Sequence, residues 1–157
     1  MQGTPLLVLL FVFYFGLAIV GLPVLPWIAA ALAFSIYGGA FLGEIWRGAL
    51  QAIPRTQWEA GAALGLGFGE QLRWIIVPQA VRIATPPTVG FLVQLIKNTS
   101  LAATIGFVEL TREGQLTTAS TFRPFAVYMT VAFLYFLLCF PLSQWSHRLE
   151  RKAHAAG

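Results

Sequence analysis

MQGTPLLVLLFVFYFGLAIVGLPVLPWIAAALAFSIYGGAFLG, residues 1–43, contains no charged residue. As one helix it would run about 65 Å, roughly twice the hydrocarbon thickness of a bilayer. The stretch therefore has to fold back. Gly21-Leu22-Pro23-Val24-Leu25-Pro26 is the place, because two prolines and a glycine interrupt helices there. Membrane spans are predicted at residues 5–22 and 26–46, joined by a short turn.

The remainder of the 157-residue chain supports a membrane protein. Hydrophobic residues make up 57% and charged residues only 10%, against roughly 25% charged in a soluble domain. So few charges cannot coat a water-soluble globule of this size. Lys97 is the one charged residue between positions 83 and 108, and 124–146 has none. Further spans are predicted at 83–108 and 124–146, the third kinked or broken at Pro86-Pro87. The result is an all-α integral membrane protein of about four transmembrane helices in a single transmembrane domain, residues 1–157.

Between the second and third spans lies an amphipathic loop, residues 47–82, carrying Arg47, Arg55, Arg73 and Arg82 against Glu59 and Glu70. Basic residues mark cytoplasmic segments. The tail, 147–157, is basic as well, and an even number of spans separates it from the loop. Both are predicted to be cytoplasmic. The +4 formal charge thus reflects topology and not a nucleic-acid patch.

Several chemistries lack their parts. There is no Asp, the single Cys139 lies in an apolar run, and His147 and His154 both sit in the tail. No metal-ligand set or nucleophile–base pair can be assembled. A G-x-x-x-x-G-K-[ST] phosphate loop is also absent. No catalytic residue, metal or cofactor is assigned to this chain.

Within the loop, Thr56-x-x-Glu59 fits a capping box at the head of a short helix that Gly65 can end in the left-handed conformation. A second amphipathic stretch, 70–82, is predicted to break at Pro78, with the glycines at 65, 67 and 69 as a flexible connection. The two readings of this loop are an ordinary interfacial segment and a docking element. Lys97, with Gln94, Asn98, Thr99 and Ser100 beside it, is either a polar seam lining a translocation path or a structural charge paired, for example, with Glu109. Glu44 lies one helical turn before Arg47, which favours a pair on one face over a gating role. Gly38-Gly39 reads as close helix packing.

Glu59-Ala60-Gly61, then Gly65, then Ile75-Ile76-Val77-Pro78 resembles the EAA motif of the permease subunits of bacterial ABC importers. Gln79-Ala80, Lys97-Asn98-Thr99-Ser100-Leu101 and Gly3-Thr4-Pro5-Leu6-Leu7 are similar to the polar amino acid subfamily, the histidine, arginine and glutamine type. Gly61 and Val77 depart from the usual Ala and Leu. The family usually has a further span before the Gly-Thr-Pro-Leu-Leu segment, so the chain is expected to be N-terminally short.

The resemblance implies a multi-pass protein of the bacterial cytoplasmic membrane whose 47–82 loop couples it to a separate ATPase. Thr56, Glu59, Ala60, Gly61, Gly65, Ile75 and Pro78 would carry that coupling. Ala60 and Gly61 would allow close approach of the partner. The translocation path would draw on Lys97, Gln94, Asn98, Thr99, Ser100 and Glu44. The implied partners are a dimer of ATP-binding subunits holding ATP and Mg, an extracytoplasmic amino-acid-binding protein, and a second permease subunit. The alternative is a non-transporting membrane scaffold or assembly subunit, or an inactive permease fragment.

Overall fold

The computed structural model describes residues 4–155, with side chains described to Arg148. Among the described residues the chain is helical with no strand. Six helices follow in order: α1 (Leu6–Ile19), α2 (Pro26–Gln51), α3 (Arg55–Ala63), α4 (Phe68–Ile105), α5 (Leu110–Thr121) and α6 (Pro124–Ala155). Three of them, α2, α4 and α6, are long and apolar enough to cross a membrane.

Helix α1 is apolar but shorter than the predicted 5–22 span. At ~1.5 Å per residue it reaches only about 21 Å, less than the ~30 Å hydrocarbon core. It stops early because the chain turns through Gly21 at φ +82°. There the Gly21 amide bonds Ala18 O at 3.1 Å and the Leu22 amide bonds Leu17 O at 2.9 Å. These two bonds satisfy the last carbonyls of α1. Helix α2 in turn runs past the predicted boundary at residue 46 to Gln51.

The largest departure from the sequence reading is α4. The predicted cytoplasmic helix 70–82 and the predicted span 83–108 are one continuous helix, and neither Pro78 nor Pro86-Pro87 breaks it. Pro78 has no amide to offer the carbonyl four residues back. Just before it, Leu72–Ile76 widens to a π turn in which the Val77 amide reaches Leu72 O. At the other end, α4 tightens to a 3-10 helix over Thr99–Ile105 and closes at Gly106.

The chain divides into two compact units. One comprises Met1–Phe41 and Leu92–Leu142. In it Leu6 and Leu10 of α1 are buried with Ala29, Ala30 and Ala33 of α2 and with Ala102 and Ile105 of α4. Alanines suit such contacts because lipid supplies little hydrophobic drive, so close backbone approach has to. Gly38 is buried with Leu95 Cδ2 3.8 Å from where a Cβ would stand, while Gly39 has open space around it. The predicted packing role thus falls to Gly38.

The same unit holds α5 against α6. Glu109 caps α5, accepting from the Thr111 amide at 2.9 Å and the Arg112 amide at 2.8 Å. Tyr135 of α6 donates to the same carboxylate at 2.9 Å. A Cβ at Gly114 would meet Val131 Cγ2 at 2.8 Å. The second unit, Leu42–Phe91 and Ser143–Gly157, contains the residue 51–80 region. In it Ser146 of α6 donates to Pro86 O at 3.3 Å and lies 3.4 Å from a Cβ built at Gly90.

Gly114→Val should therefore destabilise the fold by about 1–3 kcal/mol through overpacking against a stiff β-branched neighbour. Thermal unfolding of the detergent-solubilised protein reads this out. An unchanged midpoint would show that the α5–α6 contact yields without cost.

Candidate ATPase-coupling hairpin

Chain entry into the hairpin is set by Pro54. Its fixed backbone places it at the cap position of α3, where its carbonyl accepts from the Gln57 amide at 3.0 Å. Thr56 consequently lies inside the first turn, and no side chain caps the helix. The Thr56–Glu59 capping box does not form, because the proline starts α3 before the threonine can occupy the cap. The box's reciprocal half appears one helix later, where Glu70 accepts from the Gly67 amide at 2.9 Å.

The connection between α3 and α4 is bonded throughout, in contrast to the flexible link expected from its glycines. Gly65 sits at φ +77°, as predicted for a helix-ending left-handed residue. Its amide bonds Ala62 O at 2.9 Å, and the Leu66 amide bonds Gly61 O at 3.1 Å. Gln71 then donates from Nε2 to Leu66 O at 2.7 Å. A buried glutamine thus satisfies a carbonyl at the tip of the turn.

Gly61 is buried under the next helix. A Cβ there would stand 2.9 Å from Gln71 Cγ and 3.1 Å from Ile75 Cδ1. Its small size lets α3 and α4 close on each other. It does not open a surface for a partner, which corrects the expectation for this residue. The hairpin's apolar base is Ile53, Ile76 and Ala80, with Trp58, Leu72 and Ile75 packed against them. Gln79 Nε2 reaches Gln57 Oε1 at 3.4 Å.

What faces outward is a mixed surface. Trp58 and Phe68 stack with ring centroids 5.7 Å apart. Phe68 is 71% and Leu64 78% exposed. Ala60, Thr56, Glu59 and Pro78 are exposed, and Glu59 has no hydrogen-bond or ion-pair partner among the described residues. The outer face thus sets an apolar platform beside an uncompensated carboxylate.

The other predicted positions fall elsewhere. Glu44 pairs with Arg47, whose Nε donates at 2.9 Å, and Arg47 Nη1 donates on to Gln51 at 3.1 Å. Gln94, Lys97, Asn98, Thr99 and Ser100 lie together where α4 changes from α to 3-10 geometry. Glu109, the suggested partner of Lys97, is engaged as the α5 cap instead. Gln71, Leu64 and Phe68 were not singled out from the sequence. Gln71 was discoverable, since it shares an i, i+4, i+7 stripe with Ile75 and Pro78.

Comparison with known proteins identifies the group. Residues 1–154 match the family described as binding-protein-dependent transport system inner membrane component. The chain belongs to this family. It is 40% identical over 153 residues to the glutamine transport system permease of Escherichia coli (strain K12), covering 96% of this chain and 70% of that one. It is 37% identical over 152 residues to a probable amino-acid ABC transporter permease of Bacillus subtilis (strain 168), with 97% and 67% covered. The L-cystine transport system permease of the same organism is 38% identical, with 96% and 65% covered. The chain thus spans about two thirds of the length of these relatives. A crystal structure of an amino acid ABC transporter with histidines superposes with a TM-score of 0.90 at 32% identity, covering 96% of this chain and 71% of that one. The family is that of amino-acid ABC permeases, inner-membrane transport subunits.

The interlock predicts a non-additive pair. Gly61→Ala and Gln71→Ala should each loosen the hairpin. The double variant should be less damaged than the sum by about 1 kcal/mol, because Gln71→Ala removes the atom the new Cβ strikes. Protease sensitivity of residues 60–72 in the solubilised protein measures this, and strict additivity would refute the interlock.

Proposed function

We propose that this chain is the membrane-spanning subunit of an ATP-driven importer that moves a polar amino acid inward across the bacterial cytoplasmic membrane. The observation that carries the reading is the hairpin. Its inner face is locked by Gly61, Gln71 and the Ile53–Ile76–Ala80 base. Its outer face leaves Leu64, Phe68 and an unpartnered Glu59 exposed.

A separate ATP-binding subunit, working as a dimer with its own ATP and Mg, receives that face. Closure of the dimer pushes on the hairpin. Because α4 is one helix from Phe68 to Ile105, the push enters a membrane-spanning element without crossing a loose joint. Thr56, Ala60 and Leu64 supply surface, Gly65 the turn, and Ile75 the packing that keeps α3 on α4. Pro78 follows the π turn.

Substrate reaches the outer face from an extracytoplasmic amino-acid-binding protein. It passes along a polar seam of Gln94, Lys97, Asn98, Thr99 and Ser100, at the interface with a second permease subunit. Glu44, tied to Arg47, serves as a structural charge at the end of α2. The relatives named for glutamine and L-cystine support a polar amino acid as cargo.

Tagged chain recovered from native membranes in mild detergent should bring ATPase activity with it. Glu59→Arg reverses the exposed charge, and Gly65→Val forces a β-branched residue into a left-handed turn. Each should reduce co-eluting activity by about tenfold or more while leaving chain recovery unchanged. Activity that is absent, or indifferent to both variants, would refute the coupling role and favour a scaffold.

A further inference from the structure

Helices α4 and α6 each carry an unpaired arginine where an apolar run meets water. Arg82 is the last charge before the uncharged run 83–96, and Arg148 is the first after the uncharged run 124–146. Both are exposed, and among the described residues neither side chain has an ion pair or hydrogen bond. One contact ties the two helices together here. Ser146 is buried on α6, its hydroxyl donates to Pro86 O at 3.3 Å, and it lies 3.4 Å from a Cβ built at Gly90. Arg82 stands one turn before Pro86 on the same side of α4, about 6 Å along the axis. As consecutive spans, α4 and α6 run in opposite directions, so Arg82 and Arg148 lie beyond the contact toward the same end.

Trp145 is 55% exposed and, three residues before Arg148, shares its face of α6. An indole beside a guanidinium suits the headgroup level of a bilayer. Pro86 and Pro87 leave the Arg82 and Ile83 carbonyls without their helical amides, which sets acceptors next to the same cation. The described acids of this unit lie elsewhere in the bonding pattern. Glu44 binds Arg47, Glu70 binds the Gly67 amide, and Glu59 stands on the outer face of the hairpin. The anions found at the depth of Arg82 and Arg148 are lipid phosphates, which guanidinium binds through paired N–H donors.

We propose that this end of the α4–α6 pair binds one anionic phospholipid with a hydroxylated headgroup, its phosphate held by Arg82 and Arg148 and its glycerol region against Trp145. Phosphatidylglycerol has the matching chemistry, since its headgroup hydroxyls can donate to the carbonyls the prolines leave. A choline headgroup has no such donor and brings a third cation to the two arginines. The leaflet is the cytoplasmic one in the orientation proposed above, and the binding itself does not depend on transport or on the ATPase. A lipid seated here holds together the ends of the helix that continues into the hairpin and the helix that carries the basic tail.

The test titrates phosphatidylglycerol into the full chain, solubilised in a non-ionic detergent with phosphatidylcholine present, and counts bound lipid by native mass spectrometry. One phosphatidylglycerol per chain should be retained, about twentyfold more tightly than phosphatidylcholine. Arg82→Gln and Arg148→Gln should each weaken it about fivefold, and the double variant should lose the preference. Arg82→Lys should keep most of it, because the charge remains. Arg123→Gln makes the same charge change at the other end of α6 and should leave binding as it was. Equal retention of the two lipids, a preference that survives the double variant, or an equal loss in Arg123→Gln would overturn the site. Displacement by an excess of soluble glycerol 3-phosphate would make the ligand a free phosphate ester and overturn the lipid assignment.

Discussion

In a bilayer no water reaches a stray backbone group, so each carbonyl a proline leaves without its amide must find another arrangement. Much of this structure follows from that constraint. The chain has nine prolines, and Pro86, Pro87 and Pro141 lie inside the long helices. Ahead of Pro78 the π turn at Leu72–Ile76 shifts the pairing of the backbone. Pro86 and Pro87 leave the Arg82 and Ile83 carbonyls without their amides, and in the same stretch Thr85 Oγ1 donates to Val81 O at 2.6 Å and Ser146 to Pro86 O. Helix α4 nevertheless stays whole, so the hairpin and the spanning segment share one helix. Had the prolines broken it, a push on the hairpin would dissipate in a loop.

The hairpin solves a related problem at the surface. A pair of short helices joined by glycines would be loose, since glycine has the most backbone freedom to lose. Here the freedom is removed by specific bonds, with Gly65 in the left-handed region and Gln71 closing on Leu66 O. Gly61 belongs to the same solution. Its departure from the usual alanine reads as a weakness in an isolated helix. In the folded hairpin it is the space that Gln71 and Ile75 fill. The two positions make sense only as a pair.

This explains what could be read from residues alone. Three of the four predicted spans fall on helices long and apolar enough to cross a membrane, legible because charge is scarce and its spacing has a length scale, the bilayer, to be measured against. The EAA-like spacing located the hairpin correctly, and Gly65 and the Glu44–Arg47 pair were predictable from local geometry. The misreadings have one root, which is the use of local rules without the tertiary context. Prolines were taken as breaks because in water they usually are, whereas here α4 runs through them, with a π turn ahead of Pro78. Thr56 and Glu59 had the right spacing for a cap, but Pro54 had already started the helix. The glycine link seemed flexible because composition does not reveal a side chain, Gln71, arriving from the next helix to bond it.

The distribution of acids gives the last step. With no Asp in the chain, every negative charge is a glutamate, and three of those described are engaged locally. Glu44 binds Arg47, Glu70 binds the Gly67 amide, and Glu109 caps α5 and receives Tyr135. Glu113 sits in the first turn of α5, where the helix dipole favours it. Among the described side chains only Glu59 combines exposure with no such local role, and it stands on the hairpin's outer face. The opposite case is Lys97, an unpaired cation in an otherwise uncharged run. Unpaired charge within an apolar run is costly. In the proposed function each of the two charges has something to meet, a separate ATP-binding subunit for Glu59 and the polar path for Lys97.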